Sequence, residues 1–301
     1  MNDMSRTLAF HIVDVFAVEP LSGNPLALVE GGDDLPLTQL QRIAREFNQS
    51  ETTFMMRPTQ EGADWRLRSF TAAGAEVGGA GHNALGAWWW LAEAGKLPLS
   101  EGQTLFHQEI GGRVLPVTIE VTEGKLGYVV MDQETPIAHQ VLQERGALAA
   151  SLALTEEDFS TDRLPCQVVF TGAAHLLVPL RSRDSVDRIK PNPKPLLDVL
   201  AGIGAEGCYV FSLDPPRSGA TAYARFFNPT VGIWEDPATG TAAGPLAAHL
   251  VSHGIAAAGQ PIVIEQGTAM GRTSLIRTEV FAHTVKIAGR GVIVASGQLM
   301  I

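Results

Sequence analysis

The sequence predicts an α/β (α+β) protein of two similar halves, each wrapping sheet around one buried helix. Three observations carry this expectation. The first is an internal repeat. Arg68-Ser69-Phe70-Thr71 precedes Gly81-His82-Asn83-Ala84-Leu85 and an apolar run ending in Ala94-Gly95. Arg225-Phe226-Phe227-Asn228 precedes Gly240-Thr241-Ala242-Ala243-Gly244 and an apolar run ending in His253-Gly254. Each copy reads as strand, Gly-rich turn and helix N-terminus. The second is Trp88-Trp89-Trp90, three tryptophans that face different sides of a helix; a helix apolar all round is a buried one. The third is size: 301 residues at 45% hydrophobic content suit two cores better than one.

The elements follow in order. Phe10 to Phe16 and Leu26 to Val29 read as strands about the turn Ser22-Gly23-Asn24-Pro25. Leu37, Leu40, Ile43, Ala44 and Phe47 recur at helical spacing, with Asn48 closing the helix. Thr52 to Met56 opens the next strand, and Trp65 to Phe70 alternates as a strand does. Ala84 to Ala94 is the first central helix. Its partner is Leu246 to Val251, with Pro245 in an early position where a helix tolerates proline. Strands at Val114–Val121 and Leu126–Met131 follow the first helix; Pro261–Glu265, Thr273–Val280 and Val285–Ile287 follow the second. Gln108 and Arg113 in one half match Gln266 and Arg272 in the other. Glu134 to Thr161 reads as a polar linker with some helix, and Pro191, Pro193 and Pro195 as an irregular stretch. The expected domains are 1–133 and 134–301, with the site in the cleft between them.

Composition excludes several classes. The formal charge is −10 with no Lys/Arg-rich run, which argues against nucleic acid as a partner. Cys166 and Cys208 form no framework and read as buried thiols of a reducing, cytoplasmic protein. Residues 1–6 carry no secretory pattern, and the apolar run at 84–94 is too short to span a bilayer. No His/Cys cluster has zinc spacing; His249 and His253 read as a plain helix face.

Helix N-termini bind anions, because their first amides lack intrahelical acceptors and the macrodipole is positive there. Two such ends point to a small anionic substrate. Glu51, at a helix-to-strand junction among hydroxyls, is either a general acid/base or a solvated junction residue. His82 opens the buried helix, where it can donate to an anion, shuttle a proton or cap locally. Asp236 is either a site carboxylate or the start of an Asp-Pro turn ahead of a helix. Asn24 is a left-handed turn residue or a substrate contact. Gly79-Ala80-Gly81-His82-Asn83-Ala84 also fits a loose dinucleotide pattern, without the apolar strand that fold requires before it.

At Gly23-Asn24-Pro25-Leu26-Ala27, Ser50-Glu51-Thr52-Thr53-Phe54, Gly81-His82, Glu235-Asp236-Pro237-Ala238-Thr239-Gly240-Thr241-Ala242-Ala243 and Gln266-Gly267-Thr268-Ala269-Met270-Gly271-Arg272, the chain resembles the PhzF-like isomerases of phenazine biosynthesis. The resemblance covers nearly the whole chain. It implies the diaminopimelate-epimerase-like fold: two pseudo-symmetric halves, each a curved, mostly antiparallel sheet or barrel around a central helix. It implies Glu51 as the proton-transfer residue, with His82 and Asp236 lining the site; Thr241 stands where serine is usual. The chain departs from the pattern at Phe70-Thr71-Ala72, where Phe-Thr-Pro is usual, at Val77-Gly78-Gly79-Ala80 and at Asn83. Related epimerases place a cysteine at each helix end, and neither Cys166 nor Cys208 lies there.

The expected function is therefore an isomerase or epimerase working without metal or organic cofactor. Glu51, His82 and Asp236 are its expected catalytic residues. Asn24, Gly81, Asn83, Gly240, Thr241 and Ala242 are expected to bind the substrate, in a homodimeric protein. The rival expectations are a nucleotide-dependent oxidoreductase and a non-catalytic binding protein on the same fold.

Overall fold

The computed structural model describes residues 6–217, 219–282 and 284–301; the expectation for the first residues of the chain falls largely outside them. The chain divides into two compact units. The first runs to Met131 and includes Gly289–Ile301; the second is Asp132–Ala288.

The first unit contains β1 (Thr7–Val15), β2 (Asn24–Glu30), α1 (Leu37–Phe47), β3 (Thr52–Met56), β4 (Trp65–Phe70), β5 (Glu76–Val77), α2 (His82–Glu93), β6 (Gly102–Ile110), β7 (Arg113–Thr122) and all but the last two residues of β8 (Lys125–Gln133). The second contains β9 (Ile137–Val141), α3 (Gly146–Ser151), β10 (Gln167–Phe170), β11 (Ala174–Pro179), α4 (Arg183–Asp187), α5 (Pro193–Ile203), β12 (Gly207–Ser212), β13 (Ala222–Asn228), β14 (Ile233–Asp236), α6 (Gly240–Ser252), β15 (Ile262–Gln266), β16 (Ser274–Val280) and β17 (Val285–Gly289). The last strand, β18 (Gly291–Met300), returns to the first unit.

Strand pairing shows the repeat directly. In the first unit β1 pairs with β2 and β3 with β4, both antiparallel, whereas β2–β3 and β4–β6 are parallel. β6, β7 and β8 continue as an antiparallel meander. In the second unit β10–β11, β12–β13 and β15–β16–β17 are antiparallel, and β11–β12 and β13–β15 are parallel. β5 and β14 each add a short antiparallel strand, to β4 and β13 respectively. The outer partner of β10 is β9, but the outer partner of β1 is β18. That pairing puts residues 289–301 with the first unit, where the sequence boundary had left them in the second.

The strands of each unit are covered on both faces. In the first unit Leu40, Ile43 and Ala44 of α1 join Val29, Phe54 and Phe70 in one cluster, while α2 packs on β1, β2, β3 and β18. Sandwiched this way, β3 is buried at every residue and shows no polar/apolar alternation. Trp88, Trp89 and Trp90 are all buried, as a helix enclosed by its own sheet requires. At Gly86 the helix comes so close to the sheet that a Cβ would fall 2.7 Å from both Leu26 Cδ2 and Val15 Cγ2. In the second unit Leu148, Val186, Leu196 and Leu200, from α3, α4 and α5, pack on Val168, Leu176, Val178 and Val210, while α6 packs on β10, β11 and β16. Cys166 and Cys208 lie in that cluster as free thiols; burial pushes Cys166 up to about 12 and raises Cys208 further.

Several expectations are corrected. Glu134–Thr161 is not a linker: it carries β9, α3 and a short helical turn at Glu156–Asp158. β9 is exposed along most of its length, so its sequence lacks an apolar stripe. The proline stretch opens α5, with Pro193 in the first turn, where the missing N–H has no intrahelical acceptor anyway. Pro245 lies well inside α6, because that helix starts at Gly240. Gly23, at φ 67°, takes the left-handed turn position, and Asn24 begins β2. A Cβ at Gly23 would lie 2.3 Å from the carbonyl oxygen of Val15. Among the described residues no helix is long and apolar enough to cross a membrane.

Candidate active site

The site of the first unit forms where β3 begins and α2 begins. Asn48 ends α1 in the left-handed conformation, and the chain turns into β3 just after Glu51. The backbone carbonyl of Glu51 accepts from Ala27 N–H at 3.4 Å. His82 is the first residue of α2, with Gly81 as its N-cap. These two elements bring Glu51 Oε2 to 3.8 Å from His82 Nδ1, with the side chains 17% and 10% exposed. Burial pushes the His82 imidazole down to about 4, so the ring is neutral at pH 7. The contact is therefore a neutral imidazole beside a carboxyl group, with a separation longer than a hydrogen bond. His82 Nε2 is buried without a hydrogen-bond partner among the described residues.

The Asn83 side chain is engaged within the glycine turn itself. Its Nδ2 donates to Ser69 Oγ and to the Gly79 carbonyl, both at 3.0 Å, and its Oδ1 accepts from Gly81 N–H at 2.7 Å. Ser69 in turn contacts Thr53 Oγ1 at 2.8 Å. The Asn83 side chain thus fixes the glycine turn, and the Gly81 amide is already used. His82 and Asn83 occupy the first two helical positions, whose amides have no acceptor within the helix. Ser69 was missed by the sequence reading, since a serine inside a strand carries no signal of its own.

The second unit has its own version. Asp236 ends β14, and its Oδ2 accepts from Thr239 Oγ1 at 2.5 Å. Gln266 donates to the Asp236 carbonyl at 2.7 Å and to Thr239 Oγ1 at 3.1 Å, while its Oε1 accepts from Thr239 N–H at 3.2 Å and Tyr209 Oη at 2.8 Å. Burial, and then the nearby Asp236, hold the Tyr209 phenol well above its ordinary value. This buried network fixes the approach to α6. The Ala242 amide is turned back to the Thr239 carbonyl at 3.1 Å, so it is not open to a ligand as expected; Gly240 and Thr241 occupy the first two helical positions. Gln133 Nε2 holds the Gly240 carbonyl at 3.0 Å. Asn24 is fully buried at the start of β2 and is part of the strand, opposite Val15.

The glycine turn ahead of α2 is preceded only by the two-residue β5, antiparallel to β4. A dinucleotide-binding unit needs a strand leading straight into that turn, so the loose motif lacks its setting. His249 of α6 and His253 at its C-cap lie side by side, ring centroids 4.4 Å apart and tilted by 58°. Among the described residues no three or more His, Cys, Asp or Glu side chains gather as a metal site.

Three buried histidines predict a pH dependence of stability. Burial holds His82, His175 and His249 near 4 in the folded chain, below the ordinary value of 6.5. Below pH 6.5 the unfolded chain takes up protons that the folded chain refuses. Stability is therefore full above pH 6.5 and falls as pH drops toward 4. Each histidine contributes a slope of about 1.4 kcal/mol per pH unit inside that window. Urea unfolding at pH 7 and pH 5 is expected to show the loss, and replacing His249 by Gln should reduce it.

The comparisons with known proteins agree with this architecture. The family model described as phenazine biosynthesis-like protein, PhzC-PhzF, matches residues 13–297. The chain is 33% identical over 296 residues to a trans-2,3-dihydro-3-hydroxyanthranilate isomerase of Pseudomonas fluorescens, covering 96% of this chain and 98% of that protein. It is 36% identical to the isomerase of the same name from Pseudomonas aeruginosa, covering 95% and 97%. The crystal structure of a Bacillus anthracis PhzF-family phenazine biosynthesis protein matches with a TM-score of 0.88 at 27% identity, over 98% of this chain and 100% of that one. A hydroxyproline epimerase from Agrobacterium vitis shares the fold at 14% identity, with a TM-score of 0.65 over 98% and 93% of the two chains. With a paired-unit fold, a helix end in each unit and this family match over nearly its whole length, the chain is an isomerase belonging to the phenazine biosynthesis-like PhzC-PhzF family.

Proposed function

We propose that this isomerase moves a proton between two carbons of a small carboxylate-bearing substrate, with Glu51 as general base and then general acid, and without metal or organic cofactor. The observation that carries the reading is the placing of Glu51 beside a neutral, buried His82 at the N-terminus of α2. Glu51 takes a proton from a carbon next to a conjugated system. The C–H electron pair passes into that system and toward the substrate carboxylate. Glu51, whose proton exchanges with solvent while it is held there, then delivers a proton at a second carbon, where the electron pair forms the new C–H bond. Atoms and electrons balance with no oxidant or reductant. Charge that develops on the substrate is stabilised by preorganised helix-end amides and the helix dipole. Neutral His82 can orient the substrate by hydrogen bonding without adding a charge. In the second unit, Asp236 and Thr241 are proposed substrate-binding residues, with Thr241 donating to an anionic group.

The relatives' name supplies the first compound to try: trans-2,3-dihydro-3-hydroxyanthranilate, a carboxylate on a partly reduced ring. NMR in D₂O is expected to show its isomerisation by the wild-type protein, with deuterium entering at one ring carbon. Conversion that required an added nicotinamide nucleotide would overturn the cofactor-independent reading. If the compound is inert, small amino and hydroxy acids form the next panel.

A further inference from the structure

The two units can be superposed through their strand registers. Thr52 lies opposite Phe70 in the first, and Cys208 opposite Phe227 in the second. In each unit the arginine two residues before that phenylalanine stacks on its ring, Arg68 at 5.1 Å and Arg225 at 5.0 Å. Glu51, one residue before Thr52, therefore corresponds to Gly207, one residue before Cys208. His82, which follows Gly81, corresponds to Thr241, which follows Gly240.

The second unit has a glycine where the first has its carboxylate, and another residue fills the room. His175 of β11 is the direct cross-strand partner of Gly207. A Cβ at Gly207 would lie 2.5 Å from Phe226 Cζ and 3.2 Å from His175 Nδ1. The His175 and Phe226 rings meet edge to face, with centroids 4.9 Å apart at 81°. That packing holds an imidazole only 2% exposed, with Nε2 3.4 Å from Thr241 Oγ1 and Nδ1 without a partner among the described residues. Burial pushes its pKa down to about 4, so one ring nitrogen carries a proton and the other does not. A buried N–H without an acceptor is rarer than a buried acceptor without a donor. The proton therefore belongs on Nε2.

We propose that His175 is a positioning residue for the second helix end: its Nε2–H donates to Thr241 Oγ1, leaving the Thr241 hydroxyl proton free to point outward at a substrate anion. This rests on the reading of Thr241 as an anion-binding residue. Where the first unit carries a proton-transfer carboxylate, the second carries an imidazole that orients a hydroxyl donor. The counterpart of His175 is Leu26, an apolar residue packed near α2, so the first unit has no such device.

Two measurements test it. Long-range ¹H–¹⁵N NMR of protein carrying ¹⁵N-histidine is expected to show the Nε2–H tautomer at His175; the Nδ1–H tautomer would overturn the proposal, whatever any variant does. Calorimetry then uses 3-hydroxyanthranilate, an aromatic analogue that cannot isomerise, as the probe. Thr241→Val is expected to weaken its Kd about tenfold, the scale of one hydrogen bond to a charged group. His175→Phe should weaken it several-fold, and the double variant no more than Thr241→Val alone. Multiplying effects, or a normal Kd in a folded His175→Phe beside a weakened Thr241→Val, would show that His175 does not act through Thr241. An unchanged Kd in Thr241→Val, with the Nε2–H tautomer in place, would instead remove the anion-binding reading on which the proposal stands.

Discussion

Glu51→Gln is expected to lower kcat by about a thousandfold, the usual contribution of a positioned general acid/base. The substitution keeps the size and shape of the side chain and removes its capacity to hold and return a proton at neutral pH. KM should stay within about twofold, because the lost interaction is made in the transition state and not in the bound ground state. The melting temperature should move by no more than about 2 °C, as Glu51 lies at a partly exposed junction outside the hydrophobic clusters. Turnover and deuterium incorporation measured together give the answer. Exchange that continued at the wild-type rate in Glu51→Gln would remove the carboxylate from the mechanism and move attention to His82. Loss of turnover accompanied by a large fall in melting temperature would mean that the variant reports on folding.

The second large effect concerns stability and comes from the repeat. Both units carry a two-pronged Arg–Glu pair: Arg68 Nε and Nη2 donate to Glu76 at 2.7 and 2.8 Å, and Arg225 Nε and Nη2 donate to Glu235, both at 2.8 Å. The environments differ. The Arg68 and Glu76 side chains are 22% and 44% exposed, against 9% and 18% for Arg225 and Glu235. Arg225 Nη1 also donates to the carbonyls of Val186, Asp187 and Ile189, where the α4 helix ends. Replacing Arg225 by Leu strands a largely buried carboxylate and takes a charged donor from three carbonyl groups, and is expected to cost about 3–5 kcal/mol. Arg68→Leu removes a solvent-screened pair and is expected to cost at most about 1 kcal/mol. Denaturant unfolding of the two variants side by side provides the measurement. Equal losses would show that the shared motif, and not its burial, sets the contribution.

The central helices, α1 and the first strands were legible because their patterns are local. Leu37 to Phe47 shows an apolar stripe at helical spacing with a left-handed Asn after it, and the helix occupies those residues. The three tryptophans announced a helix enclosed on all sides, and all three are buried. Much of the second unit was not legible for the opposite reason. β12 is buried at all six residues and β11 at five of its six, so neither alternates; β9 is exposed along most of its length, so it shows no apolar face. The C-terminal strand carries no local mark of its partner, since its pairing with β1 joins the two ends of the chain.

By itself, the sequence determined the repeat, the two glycine turns with helices behind them, the family, and the short roster of polar residues around those turns. Tertiary structure alone decided which of those groups are open and which are occupied. The Gly81 and Ala242 amides and the Asn83 side chain are spent on the turns themselves. The correspondence of Glu51 with Gly207, and the place of His175 beside Gly207, follow from strand register. Register places residues from distant segments side by side, and a difference of one residue would send each of those side chains to the other face of the sheet.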